Sequence, residues 1–487
     1  MENGGGLRMS MIGRPGRKSI ITAVSVLACA SLEAVEASTL EDYGMLRLPS
    51  GAELSQEVYA ESLVSIISLA SGDIALDFSN IDDLSWLRGV ADSSRCVMLG
   101  ESHYGRAVYA LENRFLFALN TYGRYPLVVL EVQYSLTPFI NHYLDLEDDQ
   151  EAGDYLEEVS PMIACFEEDV ERLVHIRRWN RTHPGREIHV GCSDIEHDLR
   201  TTLDEILLPY LTQADPSLGI HPENTFHLDL LDRMADLRAA ADSARSAGVR
   251  GEYPFVTPDY IDRVLDNLES TCHAYSEDRM NFEFMRQQAI VRNLTDEGFL
   301  GSWTRDGSFI VICGGWHART GAVYPYGGNF LSEGAYLQHD FEPTAGRVFS
   351  VYIDNYSFSL DAMDGVDLTT CGQLGSGYRR MISQLQTVCG EGLASPTDRL
   401  VLFREINDLD RLVLSAAESS DGSPVLLMDV DLDGLSASAR ASGAEEYAVA
   451  RTELLRSCEC YDALVVMPFS PVARASVEEP RTARAGS

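Results

Sequence analysis

Residues 96–132 read CVMLGESHYGRAVYALENRFLFALNTYGRYPLVVLEV, two apolar runs joined by a stretch with apolar residues at helical spacing. The runs RCVMLG (95–100) and YPLVVLEV (125–132) are short, rich in Leu and β-branched residues, and end on Gly or a charged residue. That composition suits strands buried on both faces. The segment between them stops at Gly123, as a helix does. Strand, helix and strand within about 40 residues make the βαβ unit of a parallel sheet.

Working outward, REIHVGCSD (186–194), SFIVICGG (308–315), GRVFSVYID (346–354), SPVLLMDVD (423–431) and YDALVVMPF (461–469) read as further strands. Residues 200–300 contain no convincing strand. RTTLDEILLPYL, FHLDLLDRMADLRAAADSARSAG and the long run from Pro258 to Leu294 are amphipathic at helical period. The expectation is an α/β fold: a largely parallel central sheet of βαβ units flanked by helices, with a helical insertion at 200–300. DVDLDG (429–434) mimics the start of a calcium loop. Its twelfth position is Arg440 instead of Glu, so an acidic strand-end turn is expected there.

The formal charge of −37 is carried by 75 acidic against 38 basic residues, and Lys18 is the one lysine. Such a surface repels phosphate backbones and anionic lipid heads, so neither nucleic acid nor a membrane surface is the expected partner. Arg8, Arg14, Arg17 and Lys18 precede the apolar stretch SIITAVSVLACASL, and AVEAS offers a small-x-small cleavage site after Ala37. This is the layout of a secretory leader over residues 1–37, too short for a membrane span. A lipoprotein anchored through Cys29 is the alternative form of export. No later stretch reaches the ~20 apolar residues of a transmembrane helix. A lead-in (38–89), one α/β domain (90–473) and a disordered tail (474–487) complete the expected organisation. Cys96, Cys192 and Cys313 sit in or beside apolar runs, where small buried thiols are expected. No Cys/His quartet with zinc spacing occurs.

Polar residues collect at the ends of the expected strands, where open α/β sheets bind ligands. Glu101 and His103 follow the first strand, Glu131 closes the second, Asp194 the third, and His317 follows the fourth. Neighbouring parallel strands lie roughly 5 Å apart, so these groups can meet at one rim as an acid/base or metal site. Each taken alone reads more readily as a capping or hydrogen-bonded strand-end residue, but four strands ending this way argue for a site. Ser102 in GESHY raises a rival, a nucleophile elbow with Asp194 and His317 in the Ser, Asp, His order. Tyr104 stands where the sharp turn wants a small residue, which opposes that reading. The histidines at 175, 183, 189 and 197, with Trp179 and Trp316, are expected in structural or pocket-wall roles.

The ordered motifs LGESHYG, ENR, LVVLEV, LVHIRRWNRTHPGREIHVGCSD, FIVICGGWHA, GGNFLSEGAY and YDALVVMPF resemble the erythromycin esterase family across roughly residues 90 to 470. The resemblance implies a hydrolase acting on a small-molecule ester, with no cofactor required. It implies His103 as the base that activates water, its tautomer held by Glu101 or Glu131, with His317 and Arg114 stabilising the oxyanion and Asp194 as the strand-end acid. Relatives of the ChaN and Tiki/TraB kinds add two alternatives: a haem- or metal-binding protein using His103 and His317, or a metallopeptidase holding a divalent cation. There are departures from the family pattern. His103 follows Glu101 by two residues instead of three, and Gly314 replaces the first of a histidine pair. The family's helical arginine falls among Arg279, Arg286 and Arg292.

The leader generates a direct test. N-terminal sequencing of the protein from its native host is expected to begin at Ser38; an intact Met1 would place it inside the cell.

Overall fold

The computed structural model describes residues 81–392, apart from 82–83, 104, 165, 223–224, 322–331, 356–357 and 360–375, and beyond them 45–47, 64–66, 399–402, 425–428, 460–467 and 470–471. The leader with Cys29, the tail and the DVDLDG turn lie outside the described residues.

The main sheet has eight strands: β1 (Val64–Ile66), β2 (Cys96–Glu101), β3 (Leu127–Gln133), β4 (His189–Asp194), β5 (Phe309–Gly314), β6 (Val348–Asn355), β7 (Val425–Met428) and β8 (Ala463–Met467). Their spatial order is β1-β7-β8-β6-β2-β5-β3-β4. Side by side, β6, β2, β5, β3 and β4 run parallel. Strand β8 continues parallel beside β6, and β7 and β1 close that edge antiparallel. All seven apolar runs of the sequence form strands, and the fold is α/β. A small separate sheet joins 45–47, 399–402, 358–359 and 470–471.

Both faces of the parallel strands are buried, which is why they read as continuous apolar runs. Val97 and Leu99 of β2, Val128 and Leu130 of β3, and Ile310 and Ile312 of β5 enter one core. There they meet Val108, Leu111 and Phe115 of α1 (Arg106–Tyr122). Trp179 of α2 (Glu167–Thr182) lies in the same core, stacked 5.4 Å from Phe117, with its Nε1 donating to the Arg186 carbonyl at 2.9 Å. It is a core residue, as expected. The alternate residues Cys96, Met98, Leu127, Val129, Val311 and Cys313 enter a second core on the opposite face. The three expected buried thiols are free and buried.

Residues 200–300 are helical among the described residues, with a π-helical turn at Thr202–Leu207. The long run from Pro258 divides into α3 (Pro258–Ser276) and α4 (Arg279–Thr295). Asp278 makes the break, since its carboxylate accepts the Asn281 N–H at 3.1 Å and so starts a new helix. Ile290 and Leu294 of α4 cover the second core together with Leu337 of α5 (Glu333–His339). No described helix is long and apolar enough to cross a membrane.

One expectation about adjacency changes. β2 and β3 are not neighbours, because β5 returns from the helical insertion and pairs between them. Glu101 therefore stands opposite Gly314 in register, with Glu131 beyond it.

The turn after β5 is packed backbone against backbone. A Cβ on Gly100 would lie 2.5 Å from the Ala318 Cβ and 2.9 Å from the Gly315 Cα. Gly100→Ala is expected to cost about 1–3 kcal/mol through overpacking. Urea unfolding midpoints of the two proteins check this, and an unchanged midpoint would contradict the close approach.

Candidate active site

The strand-end residues converge. His103 Nδ1–H donates to Glu101 Oε1 at 2.7 Å, which turns Nε2 away from that carboxylate. The imidazole leans over Gly314. Its Cε1 and Nε2 both lie 3.1 Å from where a Cβ would stand on that glycine, and Glu131 Oε2 lies 3.3 Å from the same point. A side chain at 314 would occupy the space in which these groups meet. Glu131 is fixed from below by the Gly314 N–H, which donates to its Oε2.

The other half of the site is built on Arg286. Its Nε and Nη2 grip Asp194 at 2.9 and 2.6 Å, while Nη2 also donates to Glu131 Oε1. Nη1 lies 3.3 Å from His317 Nε2. His317 is buried, and its Nδ1 faces Gln287 Oε1 at 2.9 Å. These partners select the neutral tautomer with the proton on Nδ1 and Nε2 accepting from Arg286. Asp194 also accepts the Ile195 N–H at 2.8 Å and lies 3.2 Å from His197 Nε2. The other nitrogen of His197 meets the Tyr275 hydroxyl at 2.9 Å, so this histidine braces the acid, a structural role of the expected kind.

The charges follow from these contacts. The carboxylate of Glu101 raises His103 to about 9, against the opposing effect of burial. Burial alone would raise Glu131, but His317, once protonated, and Arg286 outweigh it and hold it at about 2. Asp194 behaves similarly, with Arg286 and His197 overcoming burial to hold it well below the usual carboxylate range. Burial lowers His317 and keeps it neutral. Behind the site, Glu333 is buried, and burial, then the charges of Glu131 and Asp194, push it far up. It stands at the start of α5.

Five of the six expected site residues, Glu101, His103, Glu131, Asp194 and His317, therefore lie at one rim. Arg114, the sixth, stands on α1. It lies eight residues into that helix, about 12 Å of rise beyond Arg106. The cation of the cluster is Arg286, one of the three arginines left open. Arg292 instead reaches Ser270 and Asn267 at 2.7 and 3.0 Å. Gln287 and Glu333 were not read as site residues, although Glu333 lies within the GGNFLSEGAY motif. A polar residue beside Ala289, Ile290 and Asn293 on the buried side of a helix was the available signal.

The elbow arrangement does not form, because Asp194 bonds Arg286 and the His317 Nδ1 faces an amide. A divalent cation does not fit either. The Arg286 guanidinium stands between Glu131 and Asp194 where a cation would go, and no group of three or more potential metal ligands occurs among the described residues. Nor does His317 suit haem ligation, since both its nitrogens are engaged.

No protein-family model and no curated protein matches the chain. Among solved structures it is similar to a Bacillus cereus protein at 13% identity and a TM-score of 0.50, over 85% of this chain and 96% of that one. It is similar to a succinoglycan biosynthesis protein at 10% identity and a TM-score of 0.51, with the same coverage. An erythromycin esterase mutant in its open conformation aligns at 13% identity with a TM-score of 0.48, over 81% of this chain and 95% of that one. The first two likenesses show that the fold is shared across nearly the whole of those chains.

The Arg286 cluster sets an acid limit on stability. Carboxylates held low in the folded state contribute stability above their unfolded range, and that contribution fades as pH falls from about 4.5 toward 2. Arg286→Met leaves the two acids buried without their cation and is expected to cost about 3–5 kcal/mol at neutral pH. Denaturant unfolding from pH 7 down to 3 checks both. The wild type should lose stability below pH 4.5, whereas the variant's curve should be flatter.

Proposed function

We propose that this chain is an exported hydrolase of the erythromycin-esterase-like kind, in which His103 activates water to cleave an ester or related acyl bond of a small molecule. The observation that carries the reading is the Glu101–His103 pair over Gly314. Glu101 holds the proton on Nδ1, so that Nε2 faces the space shared with Glu131. A water on Nε2 would be aimed at a carbonyl lying across that space. Glu131 is unsuited to act as the base, since a carboxylate held at about 2 binds protons too weakly.

Oxyanion stabilisation falls to Arg286 in this reading, in place of His317 and Arg114. A guanidinium carries five N–H groups, and four of Arg286's are spent on Asp194, Glu131 and His317. The remaining Nη1–H has Glu283 only at 4.0 Å and is the donor left for developing negative charge. His317, whose single N–H goes to Gln287, holds the guanidinium in place. Helices α3 and α4 supply a wall of the cleft and set specificity.

The pH dependence has a definite sign. A base at about 9 is mostly protonated at neutrality, so kcat/KM for a p-nitrophenyl ester should rise about tenfold per pH unit and level off near 9. His103→Ala should lower the rate by about 10²- to 10⁴-fold, and Ser102→Ala should retain most of it. Chelator should leave the rate unchanged. A dead Ser102→Ala that forms no fluorophosphonate adduct, where the parent enzyme does, would put a serine mechanism first.

A further inference from the structure

A cavity lies outside the strand-end rim, on the flank where α4, the short helix Gly301–Asp306 and α5 meet. Its volume is about 630 Å³, within the range of small-molecule sites. Phe284, Val291 and Tyr336 give it apolar walls, and Arg292, Arg305 and Gln287 give it donors.

The donors are under-used. Arg305 donates through Nη2 to the Thr295 carbonyl at 3.0 Å, its one side-chain hydrogen bond among the described residues. Arg292 spends Nη1 and Nη2 on Ser270, Asn267 and Asn293, but its Nε and the Gln287 Nε2 are buried without a hydrogen-bond partner among the described residues. Buried donors without acceptors are rare and costly, of order 1–3 kcal/mol each. Asp296, the acid of the cavity, already accepts the Gly298 N–H at 2.7 Å. In a chain carrying −37, a cavity with two arginines and one acid is a local reversal of charge.

Gln287 belongs to both places. Its Oε1 accepts the His317 Nδ1–H, and the same side chain lines the cavity. The amide gives its oxygen to His317, and its nitrogen is buried without an acceptor among the described residues. A carboxylate in the cavity would supply that acceptor, hold the amide in this orientation, and thereby fix the His317 tautomer that receives Arg286.

We propose that this flank cavity binds a small aromatic carboxylate, ring between Phe284 and Tyr336 and carboxylate toward Arg305 and Gln287, and that Gln287 transmits its occupancy to His317. Binding here does not require that the chain be a hydrolase, so the test reads binding and not turnover.

The probe is 1-naphthoate, titrated calorimetrically into the full mature chain, with 1-naphthylmethylamine as the cationic counterpart. Saturable binding of naphthoate is expected, with a Kd in roughly the millimolar range of a fragment-sized ligand, and none of the amine. Arg305→Glu, which reverses the cavity's charge, and Val291→Trp, which fills it, should each weaken binding by about tenfold or more. His103→Ala should leave it unchanged. Histidine-selective NMR, assigned with His317→Gln, should show the His317 Nδ1–H signal sharpen as naphthoate is added. Absence of saturable binding, equal binding of the amine, or binding indifferent to both cavity variants would overturn the site. Binding that leaves the His317 signal unmoved would overturn the link through Gln287.

Discussion

The guanidinium of Arg286 is the contact on which the rim depends. Two carboxylates from different strands, Glu131 and Asp194, approach one another under a helical roof and cannot both stay charged in a buried place without a cation between them. Arg286 comes from α4, at the far end of a helical insertion of about a hundred residues, and lands between the strand ends. Its bidentate hold on Asp194 is the geometry for which a planar guanidinium is suited and an ammonium is not. With the cation fixed, His317 has an N–H to accept, its tautomer is settled, and Gln287 is drawn in behind it.

The opposite side of the rim depends on what is missing at position 314. β5 inserts between β2 and β3, so Glu101 and Glu131 are separated by a strand and would be screened from one another by any side chain at its end. Gly314 removes that screen, and its N–H holds Glu131 down while the His103 ring settles over the bare backbone. The adjoining Gly315 is equally constrained, since a Cβ there would lie 2.2 Å from the Tyr352 ring. The ring over the bare Gly314 backbone comes from His103, two residues past β2.

The strands were legible because burial on both faces leaves continuous apolar runs, and their ends were legible because Glu101, Glu131, Asp194 and His317 break those runs abruptly. Strand order was not. Periodicity says which residues are inside, but the neighbour of β2 is chosen by a strand some two hundred residues later, and nothing local to residues 96–132 records it. Arg286 was hidden for a related reason. On a helix of mixed polarity an arginine facing inward looks like one facing water until the acids opposite it are placed. Arg114 was named by the resemblance alone, which gives a position on α1 and no distance from the strand ends.

Proximity along the chain thus misled where proximity along the sheet decided. The same holds one layer further back. Glu333 opens a short helix after residues 322–331, and sequence alone offers an acid in a first helical turn, a place where acids are usually solvated caps. Its position behind Glu131 and Asp194 gives it another character. Burial and the charges of Glu131 and Asp194 push Glu333 up toward its protonated form, so it adds little to the negative charge around Arg286. A third charge would compete with Glu131 for Arg286. In its protonated form Glu333 leaves the pairing of Arg286 with Asp194 and Glu131 undisturbed, and with it the neutral His317 on which both sides of the site converge.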